Sequence, residues 1–171
     1  SSSSAASDVY KRQPLMRSEF YTLFGDIAFR QNRTEEAFAY YDKALENNPQ
    51  NYGALNNYSY YLALLGKNLD KAERMSGEVI KANPDNATYL DTYAWVYFKQ
   101  GRYSLARLYL KKALDLSKEA SAEIYEHYGD VLAVTGNESE AVGWWKKAVD
   151  AGGDSEILHR KIAEKRYIGN E

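Results

Sequence analysis

A pattern of residue types recurs every 34 or 35 residues from Ser18 onward, and it constrains the fold more than any other feature of the chain. Repetition at this period indicates stacked helical hairpins, because a single hairpin is too small to bury its own apolar face. One recurring position holds a small residue, namely Gly25, Ser59, Ala94 and Gly129. A second holds alanine, namely Ala37, Ala72, Ala106 and Ala141.

These two positions predict where the paired helices of each hairpin cross. A larger side chain at either position would push the helices apart, so we expect Ala106→Leu to destabilise the fold by about 1–3 kcal/mol. Gly101 is expected to end a helix in the left-handed conformation. Pro49 and Pro84 close the first two units, since proline cannot continue a helix. Large residues precede each small one and should fill the space between helices: Phe24, Tyr58, Tyr93 and Tyr128.

These positions resemble the tetratricopeptide repeat (TPR), whose pattern is W-x2-L-G-x2-Y…A-x3-F…P. The resemblance covers Ser18 to about Gly153, although the first aromatic position carries no tryptophan and the last two units lack the closing proline. It implies an all-α fold, a right-handed superhelix (α-solenoid) of four TPR hairpins with a C-terminal capping helix. The chain looks like the C-terminal fragment of a longer bacterial TPR protein, so its targeting signal is expected to be missing and its compartment is not predicted.

The predicted organisation has six segments. Residues 1–17 are expected to be a disordered or artefactual leader, and residues 18–51, 52–86, 87–120 and 121–154 are the four repeats. Residues 155–168 form the capping helix, with Ser155 as its N-cap. We expect Ile157, Leu158 and Ile162 on its packed side and the basic residues, Lys161 among them, mostly on its solvent side. Binding of this basic helix to a membrane surface is an alternative.

An apolar stripe marks the first predicted helix, where Phe20, Leu23 and Ile27 share one face by their spacing. Later units carry Asn57, Thr92 and His127 at the position of Leu23. In an array this face should meet a preceding hairpin, so we infer that at least one more repeat lies upstream. Two alternatives remain, namely that the stripe mediates self-association or that residues 8–17 cover it.

Composition argues against several classes of function. The net charge of −2 lacks the basic excess typical of nucleic-acid binding, and a chain without cysteine has no thiolate nucleophile or Cys-based zinc site. No apolar run is long enough to insert directly into a membrane. His127 and Asp130 are expected to form a surface helix pair, and Asp26, Asp91 and Asp130 to be solvated. We therefore predict no catalytic residue, metal or cofactor.

The TPR resemblance implies that the first helix of each hairpin lines a concave groove for a partner protein or peptide. The groove residues mapped onto this chain are Asp26, Arg30, Asn56, Tyr60, Asp91, Trp95, Lys99, Glu126 and Asp130. Tyr60 and Trp95 could anchor an apolar side chain, as aromatics do at binding hot spots. Alternatively, Trp95 packs between adjacent hairpins. The acidic balance of this set favours a neutral or basic ligand.

Three hypotheses for function follow. The first is a non-catalytic scaffold that binds a peptide, helix or partner domain in the groove. The second is a structural spacer or dimerisation arm that uses Phe20, Leu23 and Ile27. The third is the regulatory tail of an enzyme whose catalytic domain lies upstream.

Overall fold

The computed structural model describes residues 2–169, and their secondary structure is nine α-helices without a strand. Connections between consecutive helices are short. In chain order the helices are α1 (Ser2–Arg30), α2 (Thr34–Asn47), α3 (Tyr52–Leu65), α4 (Leu69–Ala82), α5 (Ala87–Lys99), α6 (Tyr103–Asp115), α7 (Ala122–Val134), α8 (Glu138–Asp150) and α9 (Glu156–Glu164).

Helix ends follow the local signals in the sequence. Gly101 has a φ of +77° directly after α5, which confirms its predicted left-handed conformation. Ser155 confirms its role as N-cap of α9, because its hydroxyl accepts a hydrogen bond of 3.1 Å from the backbone N–H of Leu158. Such a bond satisfies one of the backbone donors left free in the first turn of a helix.

The start of the chain differs from the expectation of a disordered leader. Residue 1 lies outside the described residues, but residues 2–17 are the beginning of α1, which runs on through Pro14. Alanine, lysine, arginine and glutamine in this stretch have good helix propensity. Helix propensity is independent of apolar periodicity, on which the prediction was based, and this explains the difference.

The chain divides into two compact units, residues 1–61 and 62–171, with the boundary inside α3. In the first unit α1 and α2 form a hairpin, and the start of α3 packs on α2 through stacking of Tyr58 on Phe38 and Tyr41. The side chain of Asn51 ties α3 to α1, since its amide donates to Ser18 Oγ at 2.9 Å and to Thr22 Oγ1 at 3.1 Å.

The second unit contains the hairpins α5/α6 and α7/α8, with α4 against α5 and α9 against α8. Leu90, Leu110, Leu132 and Trp145 are among its fully buried side chains. Leu158 of α9 is also buried, so α9 completes this core as the predicted capping helix should. Lys161 of the same helix is buried as well, and its expected place on the solvent side is therefore wrong.

The predicted crossing positions lie in the interior of the protein. The eight small residues and alanines at the two recurring positions are all buried. Phe24 packs on Tyr40 of α2 with ring centroids 5.6 Å apart but is still 43% exposed, whereas Tyr58 and Tyr128 are buried. Tyr58 is covered by α2 of the preceding hairpin, and the described residues contain no hairpin before α1 that could cover Phe24.

Candidate functional site

The facing sides of α5 and α7 carry a buried ion pair between Asp91 and His127. Asp91 Oδ1 lies 2.7 Å from His127 Nδ1, and both side chains are buried. Burial alone would lower the pKa of His127, but the charge of Asp91 and its hydrogen bond raise that pKa to about 9. His127 is therefore an imidazolium at neutral pH. The predicted solvation of Asp91 is wrong, and so is the predicted surface pair of His127 with Asp130.

Trp95 packs against the face of the His127 imidazole. Its ring stacks on His127 with centroids 3.9 Å apart and on Phe98 at 4.3 Å. Trp95 is only 6% exposed, and its indole N–H donates no hydrogen bond within the described part of the chain. The structure thus shows Trp95 packed between hairpins. Its role as an anchor for a ligand stays a prediction.

A second buried cluster surrounds Asp130 on α7. Lys161 Nζ lies 2.9 Å from Asp130 Oδ1 and 2.9 Å from Glu126 Oε1, and the indole N–H of Trp145 donates to Asp130 Oδ1 at 3.0 Å. Asp130 is 1% exposed and Lys161 is 4% exposed, so the predicted solvation of Asp130 is wrong. Burial raises the pKa of Asp130 to about 6 against the opposing effect of Lys161 and His127.

The segment after α9 closes over this region. Lys165 adopts a left-handed conformation with a φ of +57° at the end of α9. The ring of Tyr167 then meets Phe98 edge to face, with centroids 5.4 Å apart, and Lys161 Nζ lies 5.4 Å from the same Tyr167 ring. Burial and the nearby charge of Asp130 raise the pKa of Tyr167 to about 12. Lys161 and Tyr167 therefore sit together over the side of α5 and α7 that carries Trp95 and Asp130.

The predicted groove residues of the first unit lie in a different environment. Asp26 accepts hydrogen bonds from the Tyr41 hydroxyl and, at 3.0 Å, from the Asn57 amide, so it is partly buried and not fully solvated. Arg30 is exposed and Tyr60 is half-buried. Asn56 is buried, and its Oδ1 accepts no hydrogen bond in the described residues.

Of the predicted groove residues in the second unit, the structure brings four into the two clusters. Asp91 and Trp95 meet at His127, and Glu126 and Asp130 meet at Lys161. Lys99 is half-buried at the end of α5.

One group of side chains has the chemistry to hold a metal ion. Asp91, Glu123 and His127 each offer one ligand atom, and these atoms lie within 4.8 Å of one another. A metal would need the neutral imidazole, whereas Asp91 stabilises the protonated form. A metal bound here would therefore have to displace the proton of His127.

The predicted apolar stripe of α1 is open to solvent. Phe20 and Leu23 are 54% and 52% exposed, and Ile27 is exposed as well. Residues 8–17 belong to the same helix and cannot fold back over it, so they do not cover the stripe. An upstream hairpin and self-association through the stripe both stay predictions. None of the helices within residues 2–169 combines the length and the apolar character needed to cross a membrane.

Three side chains of the site were not predicted to belong to it, namely His127, Lys161 and Tyr167. His127 had a signal, because it occupies the position of Leu23, which is expected to face the preceding hairpin. Lys161 follows the buried Leu158 by three residues and therefore shares its helix face. Tyr167 lies beyond α9, and we find no sequence signal for its packing on Phe98.

Comparison with known proteins gives the family that this chain resembles. Two family models, each described as tetratricopeptide repeat, match residues 28–96 and 92–156. A TPR repeat-containing protein of Methanocaldococcus jannaschii is 32% identical over 134 residues, which is 78% of this chain but 23% of that protein. The chain therefore spans less than a quarter of the length of this relative.

Solved structures agree with the family matches. A thermophilic TPR protein of Thermus thermophilus superposes with a TM-score of 0.77 at 19% identity, covering 86% of this chain and 80% of that one. The protein YrrB, described as a TPR protein with an unusual peptide-binding site, gives a TM-score of 0.58 at 22% identity and covers 85% and 74% of the two chains. These likenesses confirm the predicted fold class, an all-α TPR solenoid.

Proposed function

We propose that this chain, which belongs to the tetratricopeptide repeat family, is a non-catalytic scaffold that binds a peptide segment of a partner protein along its first helices. TPR proteins are in general protein-interaction scaffolds. YrrB, whose fold this chain shares, has a peptide-binding site.

Two buried polar atoms carry the proposal. In residues 2–169, Asn56 Oδ1 in the first unit and Trp95 Nε1 in the second are buried without a hydrogen-bond partner. Both belong to first helices, and both are groove positions predicted from the sequence. A buried polar atom without a partner costs about 1–3 kcal/mol, so native proteins keep few of them. A peptide backbone offers an N–H for an amide oxygen and a carbonyl for an indole N–H, and could satisfy either atom once the side chains that cover it move aside.

The charges on the second unit support a basic or neutral peptide. Asp91, Glu126 and Asp130 bring three carboxylates to the side of α5 and α7 that carries Trp95, and His127 and Lys161 supply two positive charges, so an excess of one negative charge is left there. Charges of this kind steer association and discriminate against acidic ligands.

A peptide library displayed on phage, selected against the full chain, tests the proposal. Peptides that are enriched should bind Trp95→Phe about tenfold more weakly by calorimetry, since phenylalanine keeps an aromatic ring but loses the donor. Trp144→Phe on the second helix α8 is the matched control and should bind like the wild type. The proposal fails if no peptide is enriched, or if Trp95→Phe binds the enriched peptides as well as the wild type does.

Self-association through α1 is a second candidate, carried by the exposure of Phe20, Leu23 and Ile27. An exposed apolar stripe along one face of a helix is typical of a contact surface. Sedimentation velocity should show a concentration-dependent mass that Leu23→Glu removes. Leu108→Glu on α6 is the control, because Leu108 is also an exposed leucine. An unchanged mass in Leu23→Glu would exclude this stripe as the contact.

A further inference from the structure

We propose that the C-terminal segment of residues 158–168 is an internal occupant of the ligand-binding side of α5 and α7, and that the external ligand of this side is a peptide with a lysine or arginine and a nearby aromatic residue. This inference rests on the proposed function and specifies its ligand.

The first argument is the way in which Lys161 is held. Its ammonium group contacts carboxylate oxygens of both Glu126 and Asp130 at 2.9 Å, and the side chain is almost fully buried. Both acids lie on the first helix α7, at groove positions, and not on α8, against which α9 packs. Asp130 is further fixed by the indole N–H of Trp145. The acids and the indole thus form a pocket for one basic side chain, and α9 supplies that side chain.

The second argument is the position of Tyr167. Its ring meets Phe98 edge to face, and Phe98 in turn stacks on Trp95. The segment therefore covers the same aromatic group that holds the unpaired indole N–H of Trp95. It supplies a cation and an aromatic ring but no acceptor for that N–H. A peptide that also supplies a carbonyl would make one hydrogen bond more than the internal segment does.

The third argument is that the segment is structured only through its contacts with the rest of the unit. The nine-residue helix α9 is too short to be stable by itself, so its helicity depends on contact with the rest of the unit. Leu158, Lys161 and Ile168 are buried, whereas His159, Arg160 and the residues 163–166 are exposed. Terminal elements with few buried side chains open at a lower free energy than the core. An external peptide can therefore displace this segment without unfolding the hairpins.

Binding of a labelled synthetic peptide with the sequence of residues 155–169 to the full chain tests the inference by fluorescence anisotropy. In the wild type the internal segment competes with the peptide. In Lys161→Ala/Tyr167→Ala the internal segment has lost its two main contacts, so the peptide should bind about tenfold or more tightly than to the wild type. Arg160→Ala/Arg166→Ala is the matched control, because both arginines pair with the exposed Glu164, and it should bind like the wild type.

Two further measurements keep the result unambiguous. A peptide in which the positions of Lys161 and Tyr167 are alanine should not bind the double variant, and a peptide with arginine at the position of Lys161 should bind. Circular dichroism reports whether the double variant is folded. If it is not, Tyr167→Ala alone, which leaves the ion cluster intact, replaces it and should also bind the peptide more tightly than the wild type.

The inference is overturned if the 155–169 peptide binds the wild type and the folded variant with equal affinity. It is also overturned if the alanine-substituted peptide binds the variant as well as the unsubstituted peptide does. The phage-selected peptides separate this failure from failure of the proposed function. If they bind the wild type through Trp95 while the 155–169 peptide does not bind the variant, the peptide-binding function stands and the internal occupant is refuted. If neither peptide binds, both are refuted.

Discussion

The indole N–H of Trp145 donates a 3.0 Å hydrogen bond to Asp130 Oδ1, joining the two helices of the last hairpin, and the same ring occupies the space next to Gly129. The first hairpin repeats this arrangement with other residues, since the Tyr41 hydroxyl donates to Asp26 and the Tyr41 ring lies against Gly25. In both hairpins a large aromatic ring on the second helix is matched by glycine and aspartate on the first. The glycine gives room to the ring, and the aspartate accepts its polar hydrogen.

The close approach at Gly129 predicts a large effect of one methyl group. A Cβ at this position would lie 2.6 Å from Trp145 Cδ1 and 3.1 Å from the Ala141 carbonyl oxygen. We expect Gly129→Ala to lower the free energy of unfolding by about 1–3 kcal/mol, because the helices must move apart. Gly143→Ala is the control, since nothing lies within 4 Å of a Cβ there, and it should be neutral or stabilising by up to about 1 kcal/mol. Urea denaturation measures both, and equal values for the two variants would contradict the prediction.

Removal of the Lys161 ammonium group should be costly because it leaves buried carboxylates without a cation. We expect Lys161→Met to lower the free energy of unfolding by about 3–5 kcal/mol at pH 8. The loss should be smaller at pH 5, because the pKa of Asp130 is about 6 and its carboxyl group is therefore mostly neutral at that pH. Denaturation at the two pH values measures this. Arg160→Met, which removes an exposed pair with Glu164, should cost less than about 1 kcal/mol. A pH-independent loss in Lys161→Met would mean that the charge of Asp130 is not the cause.

The buried imidazolium of His127 predicts a fall in stability at alkaline pH. Its pKa is about 9 in the folded chain and 6.5 as a free side chain, so between these values the folded state binds more protons than the unfolded state. The stabilisation is complete below pH 6.5 and is lost as the pH rises through 9, amounting to about 3 kcal/mol at most. His127→Gln keeps a donor for Asp91 but does not titrate. As the pH rises from 6.5 to 9, the free energy of unfolding of the wild type should therefore fall relative to that of His127→Gln. A difference that stays constant over this range would show that His127 is neutral in the folded chain.

The repeating positions were sufficient to predict the helical hairpins and the fold class, because small residues at helix crossings and glycine at helix ends act within one hairpin. The site depended on longer distances along the chain. Asp91 and Asp130 look like solvated acids in the sequence, yet each is buried by a partner that lies 36 or 31 residues further along the chain. Helical periodicity relates residues three or four apart and cannot report such pairs. Lys161 was predicted on the solvent side for the same reason, since a lysine is rarely buried unless it is paired with an acidic side chain.

The matched set of glycine, aspartate and large aromatic ring occurs in the first and last hairpins, while the third has Ala94, Trp95 and Leu110 at the same positions. The hairpins are therefore not interchangeable parts, despite their common outline. A gene rearrangement could join the first helix of the third hairpin to the second helix of the fourth. The methyl group of Ala94 would then clash with the ring of Trp145, and the indole N–H of Trp145 would lose its acceptor Asp130. Recombination therefore cannot freely exchange the halves of these hairpins.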